Sequence, residues 1–234
     1  MSQVRRNQVQ GPSTQVIIPA LNEEEGIGLT IAELKDTLAC SRVLVVDGRS
    51  TDRTVEVAKS MGAEVISQDG LGKGDAMAKA FAAADLKVDY VVLTDADYTY
   101  PAGYIPAMMQ ILEANPAVGM VCGNRFSGYQ ERKARFDAYY VGNRFIASVH
   151  NLLNGVQLID PLSGLRVVRS QILKNWKVKS KGFDIEVELN HHVERLGFRI
   201  AEVPIQYRSR LGEKKLGVRD GWVILKRIMQ ETTY

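Results

Sequence analysis

Two carboxylates one residue apart, Asp95 and Asp97, close the apolar run Val91-Val92-Leu93-Thr94. Such a run reads as a buried strand, and in an open α/β sheet ligands bind at the carboxyl ends of the strands. Carboxylates held this close repel unless a cation lies between them. A divalent metal carrying a nucleotide diphosphate is such a cation, because hard ions take oxygen ligands and bridge phosphates. The plainer reading makes one Asp a helix cap and the other a solvated charge. A second segment, Gly70-Leu71-Gly72-Lys73-Gly74, sets a lysine among small residues. It reads either as a flexible connector or as a loop whose backbone N–H groups and Lys73 approach a donor phosphate. It lacks the Walker spacing and the hydroxyl residue after the lysine.

These residues need strands that deliver them to one edge. Val16–Ile18, Val43–Val46, Glu64–Ser67, Tyr90–Thr94 and Val118–Cys122 read as strands, the first ended by Pro19. Between them lie helical patterns at Ile27–Leu38, after an acidic first turn of Glu23, Glu24 and Glu25, and through Val55, Ala58 and Met61. Further helical patterns run over Asp75–Ala84 and from Pro101 to Ala114. Alternation of this kind predicts an α/β fold with a mostly parallel, Rossmann-like sheet flanked by helices. The strand ends carry Asn22-Glu23, Asp47 to Asp52, Asp95-Ala96-Asp97 and Asn124-Arg125, so polar residues converge on one edge. A dinucleotide fingerprint is excluded, because Pro-Ala-Leu-Asn-Glu stands where the glycines belong.

Beyond Asn124 the alternation weakens. Ser127–Phe136 reads as a polar loop, Phe136–Leu153 and Phe183–Leu196 as helices, and Ile200–Tyr207 as a last strand. Gly221–Glu231 reads as an amphipathic helix with Trp222, Leu225 and Met229 on one face. At 234 residues and with no linker composition, the chain is expected to form one domain. No run approaches the roughly 18 apolar residues of a membrane span, and the first residues lack the apolar core of a signal peptide. Cys40 and Cys122 lie far apart, which fits free thiols in a reducing compartment. The three histidines match no zinc motif, and a net charge of +3 gives no reason to expect nucleic acid as a partner.

Taken together, Ile18 to Glu23, Val45 to Asp52 and Thr94 to Asp97 resemble, in order and spacing, the inverting family 2 glycosyltransferases, which have the GT-A fold. Gly123 to Phe126, Asp160 to Arg166, Gly182 to Glu188, Glu202 to Ile205 and Arg210 to Gly217 are similar to segments of the polyprenyl-phosphate (dolichyl-phosphate) hexose synthases. The resemblance spans Thr14 to about Ile228. It implies a nucleotide-sugar-binding half (residues 14–126), an acceptor half (127–217) and an interfacial helix (218–234). It implies that Asp47 contacts the nucleotide base, that Pro19, Leu21 and Glu23 line its pocket, and that Asp95 lies near the ribose or metal. Asp97 would ligate Mg²⁺ or Mn²⁺. Arg125, Arg210 and Lys215, with Arg144, would hold the acceptor phosphate and donor diphosphate, and Asp160 and Glu188 would orient the arginines. The family's usual Asp-Asp-Gly-Ser is here Asp47-Gly48-Arg49-Ser50, and Thr99 stands where mannose synthases often carry Gln.

A phosphate acceptor is already an anion, so its transfer needs no general base, only charge compensation by metal and cations. Arg210 to Gly217 reads as a lid with a glycine near each end, closing over the donor. From Arg208 to Tyr234 seven cations stand against three carboxylates, which suits an anionic membrane surface. Tyr139, Tyr140, Phe145 and Ile146, with Arg135 and Arg144, form a second membrane-facing candidate. The expected place of work is the cytoplasmic face of a membrane, reached directly or through a membrane-anchoring subunit. The competing readings are the same fold acting on a soluble phosphorylated acid or polysaccharide end, and a non-catalytic nucleotide-sugar-binding module.

Overall fold

The computed structural model describes residues 11–38, 42–126, 138–154, 156–215 and 217–232. The loop expected at Ser127–Phe136, with Arg135, and Cys40 lie outside the described residues. Strands β1 (Thr14–Ala20), β2 (Arg42–Asp47), β3 (Glu64–Ser67), β4 (Tyr90–Leu93), β5 (Val118–Asn124), β6 (Arg166–Arg169) and β7 (Arg199–Pro204) form one sheet in the order β3-β2-β1-β4-β6-β5-β7. All neighbours run parallel except β6, which is antiparallel to both β4 and β5. The helices are α1 (Ile27–Thr37), α2 (Thr54–Ser60), α3 (Lys73–Ala83), α4 (Ile105–Ala114), α5 (Ala138–Asn154), α6 (Ser170–Leu173), α7 (Ile185–Arg195) and α8 (Val218–Thr232).

A sheet covered on both faces needs strands apolar on both faces, and β1 shows how the period of two divides them. Val16 and Ile18 enter the core shared with Ile31 of α1 and Met108 of α4. Ile17 enters the opposite core with Met77 of α3 and Leu189 of α7. A smaller third cluster joins Ile146 of α5, Val187 of α7 and Ile224 and Ile228 of α8. Cys122 is a buried free thiol, its pKa pushed up to about 12 by that burial.

Four local expectations need correction. β1 runs through Pro19, which pairs with Val46; the β4 ladder has already ended at Ile17, so the missing N–H breaks no bond there. Helix α1 starts at Ile27, after a turn in which Glu23 O accepts the Gly26 and Ile27 N–H groups; this leaves the Glu23 side chain outside the helix. Helix α3 starts at Lys73, so the lysine belongs to its first turn. Strand β6 had no counterpart in the apolar pattern: its sequence is Arg-Val-Val-Arg, and Arg166 is 1% exposed.

Candidate functional site

A cavity of about 600 Å³ opens at the carboxyl ends of β1, β2, β3 and β4. Gly26 lets the Asp95–Asp97 loop lie against the start of α1, since a Cβ there would stand 2.7 Å from Ala96 O. Tyr98 takes a left-handed φ of 63°, turning the chain just after Asp97, and its N–H donates to Thr30 Oγ1 at 3.1 Å. Thr99, fully buried, donates its hydroxyl to Asp97 Oδ1 at 2.6 Å. Arg210 donates to Asp97 Oδ2 at 2.7 Å and to Glu23. Lys215 donates to Glu23 Oε1 at 2.9 Å and to Asn22 O at 2.7 Å. Arg210 and Lys215 thus enter the site as expected, held there by its carboxylates. Burial, and then the neighbouring Asp95, push the Asp97 carboxyl up; burial also pushes Glu23 up, against the pull of Lys215 and Arg210.

Asp95 is held from the other side. Lys73 Nζ lies 2.6 Å from Asp95 Oδ1 and 2.6 Å from Glu186 Oε1. Burial alone would lower the lysine's pKa, but the two carboxylates outweigh it and hold it above its ordinary value. Burial likewise works against the Asp95 carboxylate, and Lys73 outweighs it, so its pKa is lowered. The repulsion inferred from the Asp-x-Asp pair is therefore relieved by two cations of the chain itself.

Gly72 and Gly74 of the Gly70–Gly74 loop are taken up by a backbone crossing. A Cβ on Gly72 would meet Lys181 O at 2.3 Å, and one on Gly74 would meet Ser180 O at 2.3 Å. The Gly74 N–H is spent on Lys181 O at 3.0 Å. Its glycines admit the 180–182 backbone across the start of α3. Glu188, expected to orient arginines, instead accepts the N–H groups of Lys179 and Ser180 at 2.8 and 2.6 Å. It fixes the crossing segment and, through it, the helix end that carries Lys73.

Arg125 follows β5 and is gripped by Asp160 at 2.6 and 2.7 Å through Nε and Nη2. Asp160 is set in turn by its own N–H donating to Glu202 Oε1 at 2.7 Å. The guanidinium lies 5.3 Å from the Phe126 ring centre and 5.5 Å from that of Tyr207. Asp160 therefore holds the Arg125 guanidinium through two of its nitrogens.

Pro19, Leu21, Glu23, Lys73, Asp95, Asp97, Arg125, Arg210 and Lys215 all line the cavity. Two expected members do not. Asp47 is 3% exposed and accepts the Arg49 and Ser50 N–H groups, so it shapes the turn beside the cavity; the neighbouring wall is Gly48 and Gln68. Arg144 points outward from α5, and Asn143 beside it lines the cavity. Sequence reasoning also missed Glu186, the second carboxylate on Lys73, and Arg166, whose guanidinium reaches Ser163 O, Pro161 O, Glu186 O and Asn190 Oδ1. Position on α7 offered a signal for Glu186, since it falls on the buried side with Ile185 and Leu189.

No cluster of three or more metal-ligating side chains occurs among the described residues. The two aspartates nevertheless fit a divalent ion that arrives on a diphosphate, because such ions need only one or two protein carboxylates beside phosphate oxygens. Gly164 leaves room at one of them: a Cβ there would stand 2.5 Å from Asp95 Oδ2.

The model of the family described as glycosyl transferase family 2 matches residues 15–176. A dolichyl-phosphate hexose transferase of Haloferax volcanii is 35% identical, over 92% of this chain and 94% of its own length. An undecaprenyl-phosphate mannosyltransferase of Micrococcus luteus is 32% identical, over 86% of each chain. The crystal structure of Mycobacterium tuberculosis glucosyl-3-phosphoglycerate synthase, in complex with Mn²⁺, UDP and glucosyl-3-phosphoglycerate, superposes with a TM-score of 0.74 at 24% identity. It covers 95% of this chain and 81% of its own, and this likeness bears out the expected GT-A fold.

Proposed function

The chain belongs to glycosyl transferase family 2 and is a glycosyltransferase, and on that premise we propose that it transfers a hexose from a UDP- or GDP-linked donor to polyprenyl (dolichyl) phosphate with inversion. The observation that carries this reading is the mixed character of the cavity lining. The strand ends of β1 to β4 offer a first set, Pro19, Leu21, Gly48 and Gln68 beside the paired aspartates. A second set, Leu162, Phe183 and Ile224, gives the same cavity an apolar wall. A nucleotide diphosphate suits the first, and a phosphate with a hydrocarbon body suits the second. The names of the Haloferax and Micrococcus relatives support a polyprenyl-type phosphate acceptor.

In this reading residues 14–126 mainly serve the donor and 127–217 the acceptor, with Arg125 reaching across to the acceptor and Arg210 and Lys215 to the donor. An oxygen of the acceptor monophosphate attacks the anomeric carbon as the bond from that carbon to the donor diphosphate breaks. The electron pair leaves on the nucleoside diphosphate. No side chain has to remove a proton, because the attacking oxygen is already anionic. Asp97 with Asp95 would hold Mg²⁺ or Mn²⁺, which would supply charge neutralisation of the leaving diphosphate; the Mn²⁺ and UDP of the mycobacterial synthase complex support this. Arg125, fixed by Asp160, positions acceptor phosphate. Arg210 and Lys215 exchange their carboxylate partners for donor phosphates and exclude water.

Among the described residues no helix is long and apolar enough to cross a membrane. The lipid is reached at the surface, on the cytoplasmic face. Val141 and Phe145 of α5 and Trp222, Val223 and Met229 of α8 are exposed, and Arg144, Arg219 and Lys226 accompany them. Flotation with anionic liposomes, absent with neutral ones, is the expected result; flotation with neither removes direct membrane contact from the reading.

The decisive assay gives the chain polyprenyl phosphate, a panel of UDP- and GDP-hexoses and Mg²⁺ or Mn²⁺, and measures butanol-extractable sugar. Metal-dependent product is expected. Transfer only to a parallel soluble acceptor, such as 3-phosphoglycerate, overturns the lipid reading, and no donor turnover at all overturns transfer.

A further inference from the structure

Asn143 is 7% exposed in the cavity wall, and its Nδ2 has no hydrogen-bond partner among the described residues. The cations around the same cavity are differently placed. Lys73 is shared by Asp95 and Glu186, Arg125 is gripped by Asp160, and Arg210 and Lys215 meet at Glu23. A buried amide N–H without an acceptor is costly, and folded proteins leave few of them. One that faces a cavity is open to an oxygen brought by water or by a ligand that displaces it.

The surroundings say what kind of ligand. Asn143 lies one turn before Ile146 on α5. Ile146 packs with Val187, Ile224 and Ile228, against which Leu162 and Phe183 also lie. Leu162, Phe183 and Ile224 share the cavity wall with Asn143. A molecule reaching Asn143 therefore presents an acceptor oxygen and an apolar body together. The ends of β1, β2 and β3 and the aspartates after β4 line the same cavity. In the proposed reading the sugar nucleotide takes the strand ends, which leaves Asn143 to the incoming substrate. A neutral amide also suits the place, since a lysine or arginine against this wall carries a far larger desolvation cost.

We propose that Asn143, and not Arg144, is the α5 residue that hydrogen-bonds the phosphate of the acceptor, where its hydrocarbon begins. This rests on the reading of the acceptor as a prenyl phosphate. Asn143 is a binding residue in this assignment; it fixes the attacking phosphate for in-line approach, and Leu162, Phe183 and Ile224 receive the first isoprene units.

The test is steady-state kinetics of Asn143→Ala, Asn143→Asp and Arg144→Ala with a short, water-soluble prenyl monophosphate. Asn143→Asp sets a carboxylate against the phosphate and is expected to raise the acceptor KM by about tenfold or more, and Asn143→Ala by about threefold. The donor KM, and the slow hydrolysis of donor without acceptor, stay at wild-type values, and Arg144→Ala leaves the acceptor KM unchanged. Unchanged acceptor KM in both Asn143 variants overturns the assignment. So does a matched rise in donor and acceptor KM, which reports a deformed fold. If Asn143→Asp does not fold, calorimetric binding of the prenyl phosphate to Asn143→Ala decides the question, with weaker binding expected and wild-type affinity overturning it. A wild-type enzyme that uses no prenyl phosphate but does glycosylate a soluble acceptor overturns the underlying reading; a wild-type enzyme active on prenyl phosphate beside unaffected variants overturns only the role of Asn143.

Discussion

Two lysine-bearing, glycine-flanked segments, Gly70–Gly74 and Arg210–Gly217, look alike in sequence and do opposite things in the fold. In the first, glycines are consumed by backbone crossings with Ser180 and Lys181, and Lys73 is 14% exposed between two carboxylates. In the second, Gly212 has a φ of +75° and space around it, and Arg210, 26% exposed, is joined to the scaffold through site carboxylates. Its backbone adds the bonds Arg208 N–H to Thr99 O and Leu211 N–H to Asp97 O. Lys73 is held between Asp95 and the buried Glu186 on a packed helix end. In the proposed reading Arg210 exchanges Asp97 and Glu23 for the ligand's own charges.

The largest expected separation of the two comes from deleting the lysine. Lys73→Met leaves buried Glu186, and Asp95 at the cavity wall, without their cation, and breaking a buried pair costs about 3–5 kcal/mol. Chemical denaturation is expected to show that loss; a change within about 1 kcal/mol refutes the scaffold role. Arg210→Ala should do the reverse. Turnover falls about 100-fold or more, as for loss of a charge-stabilising donor, while stability falls by no more than about 2 kcal/mol. Wild-type turnover at saturating substrates breaks the lid assignment.

Acid should attack the scaffold beneath α5 and α7. His150 and His191 have ring centres 5.5 Å apart, and both nitrogens of His150 lack partners among the described residues. Burial pushes both pKa values down to about 4 from an ordinary 6.5. The folded state then binds fewer protons than the unfolded chain below that ordinary value. Stability present above pH 6.5 is therefore lost as pH falls toward about 4, by up to about 3 kcal/mol per histidine. Melting temperature followed against pH checks this, and His150→Leu should flatten the slope.

The smallest contrast is between glycines. Gly74→Ala drives a Cβ against a backbone carbonyl and should cost about 1–3 kcal/mol, the range for overpacking. Gly212→Ala meets no such wall and pays only for its left-handed φ, about 1–2 kcal/mol. Equal melting losses, or the reverse order, would erase the distinction between the two loops.

The sequence is most legible where local rules and tertiary placement agree. Val16–Ile18, Val43–Val46 and Tyr90–Leu93 are apolar runs because both faces of their strands are covered, and the run itself declares the strand. Asp95, Asp97, Glu23 and Arg125 follow such runs, so their convergence on one edge could be read directly. β6 could not be read that way. Its Arg166 is buried by donating four hydrogen bonds to two segments, residues 161–163 across a turn and helix α7, and no apolar pattern encodes such a partnership.

The chain by itself determined the alternation of strands and helices, the polar strand ends and the family. These depend on periodicity and on residues close in sequence. Only the tertiary structure decided which neighbouring side chain faces the cavity, as with Asn143 over Arg144. It alone decided that Lys73 is paired with Glu186 and Arg210 with Asp97 and Glu23, because those carboxylates arrive from more than a hundred residues away. Charge type is written in the sequence. Whether a charge is spent or held ready is settled by the contacts that desolvate it.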